Sequence, residues 1–245
     1  MGITSMIAFF NKGGLFMYPI LFVFVAGLGI AVERWFHLGR VRSLNRKMWN
    51  ILYPMLTKGE FDKAQDVVSK DQSTISQMLG MGLARQGAVR RREDIEIAME
   101  ESMMEIIPQL EKRTSYVALF SNIATLLGLL GTIMGLIEAF TAVANANPAE
   151  KADLLSASIS VAMNTTAFGL MSAIPLLLFH AKLTSTTGQI VDSLEMASVK
   201  ALNMLSSFNR YHVDAGTEPV ANKQQNPSRK PAVKAPQENA SEMQK

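Results

Sequence analysis

Thr114-Ser115-Tyr116-Val117-Ala118-Leu119-Phe120-Ser121-Asn122-Ile123-Ala124-Thr125-Leu126-Leu127-Gly128-Leu129-Leu130-Gly131-Thr132-Ile133-Met134-Gly135-Leu136-Ile137 passes without one charged side chain. A helix needs about 20 residues to cross the hydrocarbon layer of a bilayer, and this stretch is long enough. Two more stretches, 13–32 and 154–179, are equally free of charge. A soluble helix keeps one polar face in water and rarely runs so far uncharged. The pattern predicts an all-α integral membrane protein with three transmembrane helices.

Composition narrows the chemistry. Hydrophobic residues make up 48% of the 245-residue chain, concentrated in those stretches. Cysteine is absent, which removes disulfides, thiolate metal sites and thiol nucleophiles together. The three histidines, His37, His180 and His212, lie far apart in sequence. Neither metal nor cofactor is expected, and no nucleophile–base pattern or phosphate loop suggests an enzyme. A net charge of +3 is ordinary for a membrane protein with basic cytoplasmic loops and predicts no nucleic-acid partner. The first stretch lacks a basic leader and a small-residue cleavage site, so it is expected to be a permanent anchor.

Basic residues orient the spans. Arg34, Arg40, Arg42, Arg46 and Lys47 follow the first span, Lys112 and Arg113 precede the second, and Lys182 follows the third. The expected order is an outer amphipathic helix (1–12), span one (13–36), a cytoplasmic helical domain (37–113) and span two (114–138). An outer loop (139–153), span three (154–180), a cytoplasmic helix (181–211) and a disordered tail (212–245) follow. Within the cytoplasmic part, helical periodicity is expected over 59–68, Ser73 is placed to cap a helix over 74–86, and Ile95, Met99, Ser102 or Met103, and Ile106 form a stripe. Pro108 predicts a kink in a long helix leading into span two.

The spans are not uniformly apolar. Gly128, Gly131 and Gly135 form a small-residue face on span two, with Gly169 on span three, as suits close helix packing. Thr125 and Thr132 are seven apart, as are Ser158, Thr165 and Ser172, with Asn164 and Thr166 beside them. Two readings stand: hydroxyls returned to their own helices for packing, or a polar lining around a pore or partner helix. Asn164 favours the second, because an amide in hydrocarbon is costly unless paired or hydrated. No Asp, Glu, Lys, Arg or His lies in the central part of any span. If the chain moves protons, another chain must bring the titrating carboxylate.

Gly14-x-x-Met17-Tyr18-Pro19 leading to Glu33-Arg34, then Leu127-Gly128-Leu129-Leu130-Gly131-Thr132-x-x-Gly135, then Thr166-Ala167-x-Gly169-Leu170-x-x-Ala173-Ile174-Pro175, resemble the MotA/TolQ/ExbB proton-channel family. The three-span layout is similar to the ExbB and TolQ branch. The resemblance implies a homopentamer whose second and third spans line a pore. It implies an ExbD- or TolR-like single-span partner, in two copies, carrying an intramembrane Asp. The output would pass to a TonB- or TolA-like periplasm-spanning protein from a Gram-negative inner membrane. Thr132 and Thr166 match the family's pore-facing threonines. Many family members carry Glu where this chain has Val161. TonB-dependent uptake is the expected output; a TolQ-like or gliding motor, or a non-conducting scaffold, are the alternatives.

Overall fold

The structure, a computed structural model, describes residues 13–86, 92–144 and 146–216, the last eight by backbone alone. The expected outer helix over 1–12 and the tail beyond 216 lie outside the described residues. The chain divides into two units, Met1–Phe208 and Asn209–Lys245, and only 209–216 of the second is described. Every regular element among the described residues is a helix: α1 (Met17–Lys58), α2 (Phe61–Ser69), α3 (Thr74–Gln86), α4 (Arg92–Glu111), α5 (Thr114–Ala144) and α6 (Lys151–Gly216). Three rods, Met17–Lys58, Arg92–Ala144 and Lys151–Phe208, are long and apolar enough to cross a membrane. The chain is a membrane protein of the predicted class, with spans two and three prolonged into long helices.

Local sequence explains the breaks. Gly14 has a φ of +72°, a left-handed conformation that suits glycine, and α1 begins three residues later. α1 stops at Gly59, φ +75°, whose N–H donates to Leu56 O while the Glu60 N–H donates to Met55 O. That pair of bonds is a Schellman stop. Ser73 caps α3 as its position predicts, its Oγ accepting the Ser76 N–H at 3.4 Å. The helix expected over 59–68 is α2, with Ala64 and Val68 buried. Pro108 lies inside α4, and the rod breaks a turn later at Lys112–Arg113, where Arg113 takes a φ of +66°. The Lys112 N–H still donates to Pro108 O at 3.0 Å, so helical bonding outlasts the proline before the turn. The backbone of α6 continues to Gly216, past the boundary expected at 211.

The main core lies in the half proposed to be cytoplasmic. Leu52 and Leu56 of α1, Met78 and Leu79 of α3, Met99 and Ile106 of α4, and Ile190 and Leu194 of α6 belong to one buried cluster. At membrane level the packing changes to small side chains, with Ile20 and Val23 of α1 meeting Ala124 and Ala173. Only 22%, 28% and 33% of the three apolar windows is buried within the chain. Such rods, left largely uncovered, require lipid or protein around them.

Candidate ion-conducting face

The glycine face of α5 lies directly on α6. A Cβ added to Gly128 would stand 3.2 Å from Gly169 Cα and 3.3 Å from Thr166 Cα. One added to Gly135 would stand 2.8 Å from Ala162 Cβ, and one at Gly131 would collide with the Thr165 side chain. At Gly169 the nearest atoms are all backbone, with Ala124 O 2.8 Å from where its Cβ would be. These four glycines let two backbones approach closely enough for hydroxyls to bridge them.

Two bridges cross that contact. Thr166 Oγ1 donates to Gly128 O at 2.7 Å, and Ser121 Oγ donates to Ala173 O at 2.8 Å. Thr165 is 2% exposed, its Oγ1 within donating distance of Gly13 O (2.7 Å) and Val161 O (2.9 Å). It ties span three to the turn that opens span one. Val161 faces the same turn: a Cβ on Gly14 would lie 3.2 Å from its Cγ1. Ser172 is also 2% exposed.

The remaining polar residues lie toward the outside of the pair. Thr125 is exposed and Thr132 half-buried; their hydroxyls donate to Ser121 O (3.1 Å) and Leu129 O (2.6 Å) of their own helix. Asn164 and Ser158 are half-buried. A threonine that donates inward keeps oxygen lone pairs to accept from water or an acid. Asn122 joins this edge of α5 and is exposed. Its place seven after Ser115 and three before Thr125 is the signal in the sequence that sets it on this edge. Among the described residues, no group of three or more His, Asp or Glu could hold a metal ion.

The C-terminal end of span one is pinned to the rod break. Arg34 is 4% exposed and its guanidinium donates to Leu110 O, in the last turn of α4. A cation there also meets the negative end of the helix dipole. Neighbouring Glu33 pairs with Arg113 at 3.3 Å. The sequence placed both at a span end without showing that they hold the α4–α5 turn.

The family model described as MotA/TolQ/ExbB proton channel family matches residues 70–196. The chain is 24% identical over 218 residues to a putative biopolymer transport protein ExbB homolog of Methanothermobacter thermautotrophicus, covering 88% of this chain and 76% of that protein. It is 27% identical over 190 residues to a putative biopolymer transport protein ExbB-like 1 of Synechocystis, covering 75% and 72%. A Tol-Pal system protein TolQ of Haemophilus influenzae is 32% identical over 87 residues, 36% of this chain and 38% of that protein.

Proposed function

The chain belongs to the MotA/TolQ/ExbB proton channel family, whose members are transport proteins and not enzymes, and from that premise we propose that it is the pore-forming subunit of a proton-driven motor. The observation that carries this is a polar edge without a titrating group. Asn122, Thr125 and Thr132 of α5, with Thr166 of α6, offer hydroxyls and an amide at membrane depth. No carboxylate, imidazole or amine lies in the central part of the spans. Such a wall can hydrate and orient a carboxylate but cannot carry a proton itself.

The carrier is then a carboxylate on a single-span ExbD- or TolR-like partner, two copies within a homopentamer. Protonated from the outer side, it loses its charge, passes the apolar wall and can donate its O–H to the oxygen lone pairs that Thr132 and Thr166 keep; deprotonated, it is held through water ordered by those oxygens. Thr165 and Ser172, buried within the chain, serve packing. The rearrangement drives a TonB-like periplasm-spanning protein from a Gram-negative inner membrane, with the N-terminus outside and the C-terminus in the cytoplasm. A TolQ-like output is the second reading, supported by the Haemophilus match.

The test is proton flux into liposomes holding this chain and its single-span partner. Thr132→Val and Thr166→Val should each lower flux at least tenfold while the complex still copurifies. Wild-type flux in both variants would refute the pore role.

A further inference from the structure

We propose that the cavity between the α4–α5 turn and α6 is a water-filled vestibule through which protons leave the polar edge for the cytoplasm, with His180 passing them on; this rests on the proton-channel reading above. The cavity measures about 440 Å³ and is lined by Glu111, Thr114, Ser115, His180, Thr187 and Asp192, among others. That volume holds several waters.

Two buried hydroxyls call for those waters. Thr114 is 6% exposed and Thr187 5%, and neither Oγ1 has a protein partner. They sit on different helices, and both line the cavity. A buried hydroxyl left unpaired is unfavourable, and water in the adjoining space removes the penalty.

Register places the cavity in line with the polar edge. Thr166, His180 and Thr187 follow one another at fourteen and seven residues along α6. Ser115, Asn122, Thr125 and Thr132 follow at seven, three and seven along α5. Both series keep to one helical side from mid-membrane to the cavity. An imidazole takes a proton on one ring nitrogen and releases another from the opposite nitrogen, so each transfer leaves it as it began. Glu111 of α4 and Asp192 of α6 are the other titratable groups in the lining. Their negative charge favours protons at this mouth. Arg113 is engaged with Glu33, and Lys182 lies in a separate groove with Trp35 and Leu38.

The chain has no cysteine, so a single introduced thiol reports alone. Gly188 lines the cavity, and an added Cβ there would meet nothing within 4 Å. Gly188→Cys, in the complex with its single-span partner in liposomes, is treated from the cytoplasmic side with a charged, membrane-impermeant methanethiosulfonate. The expected result is rapid labelling and a fall in proton flux of at least tenfold, with the cysteine-free chain unaffected. Independently, His180→Asn should lower flux and flatten its dependence on cytoplasmic-side pH, which a purely structural role would leave unchanged. A Gly188→Cys that resists labelling, or that labels with flux unchanged, overturns the proposal. So does His180→Asn with the wild-type pH profile, or failure of both variants to assemble, which would make the cavity a packing feature. Absence of flux from the untreated wild-type complex would instead refute the channel reading, while labelling would still report whether the cavity is wet.

Discussion

Gly169 puts one helix backbone where any side chain would strike another. Its Cβ would stand 2.8 Å from Ala124 O and 2.9 Å from Gly128 Cα, and neither is the movable end of a side chain. Gly169→Ala must therefore separate α5 from α6, and overpacking of this kind costs about 1–3 kcal/mol. Thermal unfolding in detergent should show a clear fall in Tm. Gly29 is the control: a Cβ there meets nothing within 4 Å, so Gly29→Ala should hold or gain up to about 1 kcal/mol of helix stability. A Gly169 variant as stable as the Gly29 variant would contradict the close contact. Arg34 acts by pairing: Arg34→Met removes the donor to Leu110 O, and losing a hydrogen bond from a charged group costs about 1.5–3 kcal/mol. The same Tm measurement reads it. At this scale the glycine faces were legible because spacing alone reports a small-residue stripe. The role of Arg34 was not, because its acceptor is a carbonyl 76 residues away, which no local pattern encodes.

Among the elements, α3 depends most on a small polar knot at its N-terminus. Asp71 Oδ2 accepts the Ser73 N–H at 2.9 Å, the Ser76 hydroxyl at 2.7 Å, and the Ser73 hydroxyl. Asn45 of α1 joins in, its Oδ1 accepting the Thr74 hydroxyl at 2.9 Å and the Ile75 N–H at 3.3 Å. Partial burial opposes ionisation of Asp71, but the bonds from Ser73, Ser76 and Gln72 outweigh it and hold the carboxyl below its usual 3.8. A depressed folded-state pKa gives stability that is present above pH 3.8 and lost as pH falls through the folded value. Asp71→Asn should thus remove stability at neutral pH. It should also narrow its gap from wild type as pH drops below about 4, measured as Tm from pH 3 to 7. An unchanged gap across that range would remove Asp71 from the knot. Ser73 was readable as a cap because cap chemistry is local. The rod break at Arg113 was not readable, because it accompanies contacts with α1 that only the fold supplies.

For the whole molecule, the decisive fact is how little of each span is covered. Leu126, Leu129, Ile133 and Ile137 of α5 and Met163, Leu170, Ile174 and Leu178 of α6 stand exposed in a single chain. Lipid can cover these, but it cannot suitably cover Asn122, Thr125 and Thr132, since polar groups facing hydrocarbon are disfavoured. The α5 edge that carries them must turn toward water or protein, and a ring of copies supplies both. For the homopentamer with two single-span partners proposed above, native mass spectrometry of the detergent-extracted complex should show five copies of this chain with two of that partner. Asn122→Leu should weaken proton flux while leaving that ring in place, because it alters the enclosed face and not the glycine contact between α5 and α6. A chain that remains a monomer with its partner bound, yet still conducts, would show that one α5–α6 pair suffices and that the polar edge needs no ring to enclose it.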